Sequence, residues 1–319
     1  MERSIKDYIF LSLKGIAMGA ADVVPGVSGG TIAFITGIYE ELLNTINSVN
    51  LEALKKLKSE GLKSFWNHIN GNFIVALFLG IAISVVSLAK LMTYLMANHA
   101  VLLWASFFGL IIASIYLVGK KVVKWDISKI IGLIIGTSIA FYITLLPPME
   151  NPNALWYIFL SGAIAICAMI LPGISGAFIL IILGTYSLVL GTISDFFSAI
   201  KSMNFTEVLK HLKIVAIFGS GCIVGLLSFS KLLSWMFKKY HDLTIAILTG
   251  FLIGSLNKIW PWKETLSTRV NSHDQIVPFI QENILPSNFD GDNQLILAIA
   301  IALFGLGLIL VLEKVANKE

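Results

Sequence analysis

Two short stretches carry the residue types best suited to grip an anion. One is Pro25-Gly26-Val27-Ser28-Gly29, followed by Gly30 and Thr31; the other is Pro172-Gly173-Ile174-Ser175-Gly176. Proline lacks an amide hydrogen and glycine is a poor helix-interior residue, so each stretch should break a helix. Glycine lets the backbone come close to a ligand, and the helix that restarts points unpaired amide hydrogens and the positive end of its dipole at the gap. A phosphate suits such a place, with the hydroxyls of Ser28, Thr31 and Ser175 as further donors. The alternative is that these glycines only permit tight helix packing, as small residues do in membrane bundles. Two such breaks at matching positions favour a site.

Ionisable residues inside apolar stretches are the second signal, because each costs at least ~2.5 kcal/mol at the centre of a bilayer unless partnered or wetted. Lys14, Asp22, Lys90 and Lys231 form that set. Asp22 precedes Pro25 closely, and its counterpart before Pro172 is Met169. This asymmetry makes Asp22 the candidate to carry a coupling H+ or Na+; the alternative is that it caps amides at the break. Lys90 and Lys231 can each receive a phosphate on their own side of the membrane, or else snorkel to the interface. Lys14 joins the candidate binding set, with cytoplasmic snorkelling as its alternative. The five histidines have no ligand spacing and no metal site is expected. Cys167 and Cys222 read as small apolar side chains. The tryptophans Trp104, Trp125, Trp156, Trp235, Trp260 and Trp262 read as interfacial anchors.

The elements that must position these residues are membrane helices. Of 319 residues, 56% are hydrophobic and 13% charged, too apolar for a soluble domain. Apolar stretches run over 73–97, 101–118, 127–146, 155–190, 214–237, 243–256 and 295–312, and several reach the ~20 residues needed to cross the hydrocarbon layer. The short charged N-terminus is followed by no signal-peptidase-like end and is expected to be mature structure. Basic clusters at Lys55 to Lys63, Lys120 to Lys129, Lys238 and Lys239, and Lys314 and Lys318 fall on one face if 8–44 enters and leaves on the same side. That face is then the cytoplasm, with both termini there, and the acid- and amide-rich loop 257–294 lies outside. Lys201, Lys210 and Lys213 fit this orientation badly.

The chain also repeats. Gly15, Ala21 and the first break align without a gap on Gly162, Ala168 and the second, and the match continues through Gly37-x-Tyr39 and Gly184-x-Tyr186. Gly80, Ser87, Lys90, Gly109 and Ser114 correspond likewise to Gly221, Ser228, Lys231, Gly250 and Ser255. Such a series points to duplication, with halves 1–150 and 151–319. Each half should hold one re-entrant helical hairpin, 8–44 or 154–190, with two arms of roughly 15 residues at ~1.5 Å per residue, and then three transmembrane helices. An odd number of crossings inverts the second half. The expected fold is an all-α polytopic membrane protein of inverted-topology repeats, whose two hairpin tips border a polar cavity at mid-depth.

The run Lys14-Gly15-x-x-Met18-Gly19-Ala20-Ala21-Asp22-Val23-Val24-Pro25-Gly26-Val27-Ser28-Gly29-Gly30-Thr31, followed by Thr36-Gly37-Ile38-Tyr39-Glu40, closely resembles the PopT-type polyprenyl-phosphate transporter family. Leu171 to Gly176 and Gly184-Thr185-Tyr186 extend the resemblance, although Ala177 stands where the first motif has a second glycine. The resemblance implies return of undecaprenyl phosphate from the outer to the cytoplasmic leaflet of the bacterial inner membrane for cell-envelope synthesis; the paired breaks and the mirrored Lys90 and Lys231 suggest alternating access, with the headgroup between Ser28 and Ser175 and the halves rocking about it. It implies a polyprenyl phosphate lipid and the membrane as partners, no nucleic acid, no cofactor and no enzymatic activity. The rivals are a polyprenyl-pyrophosphate phosphatase and a small-anion transporter. The phosphatase needs an Arg beside the serine and membrane-embedded glutamates, whereas Gly29 and Gly176 follow the serines here.

Overall fold

A computed structural model of the chain describes residues 3–23, 28–149, 154–270 and 276–316. Among these the architecture is mostly helical. The first half contains α1 (Ile5–Val23), α2 (Gly29–Ile35), α3 (Tyr39–Ser48), α4 (Leu51–Glu60), α5 (Leu62–His68), α6 (Gly71–Asn98), α7 (Ala100–Gly119) and α8 (Ile127–Leu145). The second contains α9 (Leu155–Ile170), α10 (Gly176–Ile182), α11 (Tyr186–Lys201), α12 (Phe205–Lys239), α13 (His241–Ser255), strands β1 (Lys263–Val270) and β2 (Ile276–Asn283), and α14 (Leu295–Ala316). By length and composition α7, α8 and α12 can each cross a membrane, and two bent helix pairs raise the number of candidate spans among the described residues to five.

Each hairpin breaks twice rather than once. The seven-residue α2 and α10 are each set off by a second interruption, so the expected two arms of roughly 15 residues become a long arm, a short helix and a return arm. The second break falls at Gly37 and Gly184, whose φ of +75° and +69° is a left-handed conformation that glycine adopts without a Cβ penalty. At Gly184 the chain turns sharply, and α10 and α11 are bent by 112°.

Helix pairs pack closely through glycines. α1 lies along α6, α9 along α12, α7 along α14 and α8 along α13. At Gly15 and Gly80 the α1–α6 pair approaches backbone to backbone, against the carbonyls of Leu77 and Ser12. Gly162 and Gly221 do the same for α9–α12 against Phe218 and Phe159, Gly109 for α7–α14 against Ala302, and Gly250 for α8–α13 against Leu133. For these glycines the packing alternative is what the contacts show.

The return arm α3 is tied down at several points. Asn47 Nδ2 donates to Ser230 O at 3.1 Å and to Ser234 Oγ at 2.6 Å, and Ser230 Oγ donates to Asn47 Oδ1 at 2.8 Å, linking α3 to α12. Arg3 holds Glu41 through both oxygens at 2.6 and 2.5 Å. Such paired, charge-assisted bonds fix geometry as well as sign. Glu207 accepts from Lys210 at 3.1 Å, which offsets one of the three lysines that fit the charge pattern badly.

The described residues of the loop expected over 257–294 are partly β. β1 and β2 pair antiparallel, with register shifts around Ser267. The ribbon is pinned by indoles: Trp260 Nε1 donates to Ile284 O at 2.9 Å and Trp262 Nε1 to Asn293 O at 2.8 Å. Trp260 and Trp262 stack edge to face at 5.5 Å, and Trp262 and Trp104 are buried. The reading of these three as lipid-interface anchors is therefore corrected: their rings hold the loop onto α7.

Candidate functional site

The two hairpin tips meet, and they meet through the residues singled out in the sequence. Ser28 Oγ donates to Met169 O at 3.0 Å and accepts from Gly30 N at 3.1 Å. One hydroxyl thus caps the start of α2 and satisfies a carbonyl left open at the end of α9. Thr31 Oγ1 accepts from Gly173 N at 2.8 Å. Gly30 presses against the second tip so closely that a Cβ there would lie 2.5 Å from Ile170 O and 2.8 Å from Met169 O. Ser28 and Thr31 have no exposed surface. The expectation of hydroxyls bordering an open chamber is corrected: in this conformation these side chains are spent on the opposite tip.

Asp22 takes the capping role. Its Oδ1 accepts from Gly29 N at 2.7 Å, so a carboxylate of the chain itself already fills the anion seat at the head of α2. The other tip lacks this group. Ser175 stands at the start of α10, is 4% exposed, and makes no side-chain cap to that helix. Pro172 is buried there, and Gly173 abuts Ser255 at the end of α13. Gly176 packs against the Ala165 carbonyl of α9.

The lysines are distributed differently from the sequence expectation. Lys14 Nζ donates to Thr36 O at 2.9 Å, so it closes the C-terminal end of α2 and is turned away from the break. Lys231 is exposed on α12, with no ion pair among the described residues, as snorkelling requires. Pro25 and Gly26, and the side chain of Lys90, lie outside the described residues. The structure therefore brings together Asp22, Ser28, Gly29, Gly30, Thr31, Pro172 and Gly173, with Ser175 and Gly176 at the start of α10.

Sequence reasoning missed two lysines near the second tip. Lys258 and Lys263 lie in the loop read only as acid- and amide-rich, yet the Lys258 ammonium sits 4.1 Å from the centre of the Phe178 ring on α10. Their spacing in Lys258-Ile-Trp-Pro-Trp-Lys263 was the available signal: two cations among tryptophans in a loop otherwise rich in acids and amides.

Against this geometry, residues 18–277 match the family described as Undecaprenyl phosphate translocase-like. The chain belongs to that family. A Polyprenyl-phosphate transporter of Vibrio cholerae serotype O1 is 46% identical over 316 residues, covering 98% of each chain. A Polyprenyl-phosphate transporter of Staphylococcus aureus is 30% identical over 261 residues, 78% of this chain and 85% of the relative. No solved structure matches. Both breaks lie inside the matched region of this family member, as does the corner that holds Lys258 and Lys263.

Proposed function

We propose that this multi-pass membrane protein moves a polyprenyl phosphate, undecaprenyl phosphate in a bacterial inner membrane, from the outer to the cytoplasmic leaflet, and so returns the carrier lipid for cell-envelope synthesis. The observation that carries this reading is the direct contact of the two tips, Ser28 with Met169 and Thr31 with Gly173. Irregular backbone at membrane depth is tolerated only where protein or a polar cavity receives it. The two transporter relatives supply the substrate class. The matching glycine contacts of α1–α6 with α9–α12, and of α7–α14 with α13–α8, support the reading of two inverted halves, 1–150 and 151–319, each a re-entrant hairpin plus three spans, with both termini cytoplasmic.

In the transport cycle the tips part. Breaking two inter-tip hydrogen bonds, each worth about 0.5–1.5 kcal/mol net, is a modest cost that a phosphate repays by taking the freed donors. The headgroup engages Ser175 first, since its hydroxyl is not committed to capping α10, and then Ser28 and Thr31 as the tips open and their bonds to the other tip break; the prenyl tail stays in lipid. In this reading the chain carries the lipid without cleaving it: glycine follows both serines, where a phosphatase would need an Arg beside the serine to stabilise a transferring phosphoryl group.

The test is flipping of a fluorescent polyprenyl phosphate in vesicles reconstituted with the protein. Ser175→Ala should reduce the rate at least tenfold, and a wild-type rate in that variant removes Ser175 from the path. Asp22 is the proposed coupling residue for H+ or Na+. Asp22→Asn keeps an acceptor for the Gly29 amide while losing the charge, so transport should persist but lose its dependence on the ion gradient. Persistence of that dependence in the variant clears Asp22 of the role.

A further inference from the structure

α13 ends at Ser255, and the chain turns through Lys258 before β1 begins at Lys263. Both lysines are partly buried in this corner. Lys263 Nζ lies 3.9 Å from the centre of the Trp104 ring and donates to Lys258 O at 2.6 Å. Lys258 Nζ lies over Phe178, in the first turn of α10 just past Ser175. Neither ammonium has a carboxylate partner among the described residues.

A desolvated cation needs a counter-charge. Aromatic faces supply part of it, about 0.5–2 kcal/mol each, and the rest is missing. Burial pushes Lys258 down to about 8, and burial together with the Lys258 charge pushes Lys263 well below the usual lysine range. Snorkelling does not describe this pair, because the heads are folded onto rings instead of extended into water. A doubly charged anion seated against both amines would supply the missing counter-charge and hold both protonated, since an opposite charge reverses what burial and mutual repulsion do.

We infer that Lys258 and Lys263 form a binding site for a phosphate monoester at the end of α13, where a headgroup is received before it reaches Ser175. The inference rests on the transport reading for its ligand source, because a lipid headgroup and free phosphate share this chemistry. Position ties the corner to the tip: Ser255 abuts Gly173, and Phe178 carries the Lys258 ammonium. The site lies on the side of the membrane that the charge pattern assigns to the outer leaflet, where a spent carrier lipid waits.

The experiment is a titration of the full-length protein in detergent with farnesyl phosphate, inorganic phosphate and farnesol, read by tryptophan fluorescence because Trp104 lies directly under Lys263. Farnesyl phosphate should give a saturable change and farnesol none. Lys258→Gln and Lys263→Gln should each weaken binding at least tenfold, and Lys258→Arg should keep it within threefold. Affinities unchanged within twofold in both glutamine variants overturn the site. Should Lys263→Gln lose the ribbon, seen as a lower melting temperature, the contrast between Lys258→Gln and Lys258→Arg decides alone. Inorganic phosphate binding as tightly as farnesyl phosphate keeps the lysine site and overturns the lipid source. Wild-type lipid transport with lysine-independent binding sinks the site and spares the function; absent transport with lysine-dependent binding does the reverse.

Discussion

Gly30→Ala should lower lipid transport at least tenfold while leaving the protein folded and membrane-inserted. The added methyl would lie 2.5 Å from Ile170 O and 2.8 Å from Met169 O, and both obstacles are backbone at the end of α9. Close-packed interiors do not absorb such an overlap locally, so α2 must back away by roughly the difference between this distance and an ordinary ~3.5–4 Å contact. That displacement separates Ser28 Oγ from Met169 O and Thr31 Oγ1 from Gly173 N, now 3.0 and 2.8 Å apart. A cycle that passes through closed tips then loses one of its end states. The measurement is flipping rate per reconstituted molecule, with size-exclusion behaviour as the folding control. An undiminished rate in a well-behaved variant would mean that the tip contact is not a station of the cycle.

The second large effect concerns stability. Gly80 and Gly221 occupy corresponding positions in the two halves, each against a carbonyl of its partner helix, Ser12 O and Phe159 O. Overpacking of this kind costs about 1–3 kcal/mol per site, and sites without shared partners add. The double variant Gly80→Ala/Gly221→Ala should therefore melt several degrees, roughly 4 °C or more, below wild type in detergent, scaling from ~2–4 °C per kcal/mol for chains of about 150–250 residues. Each single variant should show about half the drop. A melting temperature unchanged in both singles would mean that the helix pairs separate without penalty, which contradicts their backbone-level approach.

The spans were legible because hydropathy and length report directly on them: α6, α7 and α8 at 71–98, 100–119 and 127–145 nearly coincide with the apolar stretches 73–97, 101–118 and 127–146. The breaks were legible from Pro25 and Pro172, whose chemistry is local. The second interruption was not, because Gly37 and Gly184 appear in sequence as isolated glycines. Only the fold shows that each adopts a left-handed φ. The partners of Ser28 and Thr31 escaped prediction for a related reason. A hydroxyl can donate to a ligand or to a carbonyl, and the choice depends on residues 141 and 142 positions away. Asp22 carried both readings in sequence; the 2.7 Å bond from Gly29 N identifies it as a cap in this conformation. The ribbon of β1 and β2 was hidden because β1 is largely polar and β2 carries a proline, so neither reads as a regular strand, and its indoles passed for anchors.

The bridge between Asn47 and Ser230 limits how the machine can move. α3 comes from the first half and α12 from the second, yet three hydrogen bonds rivet them. If the halves 1–150 and 151–319 of the proposed cycle swung as wholes, they would have to shear those rivets on every turnover. A division of labour that cuts across that boundary would avoid this: α3 would travel as cargo of the opposite half, and the flexure would fall at Gly37, where the chain leaves α2 with a left-handed φ.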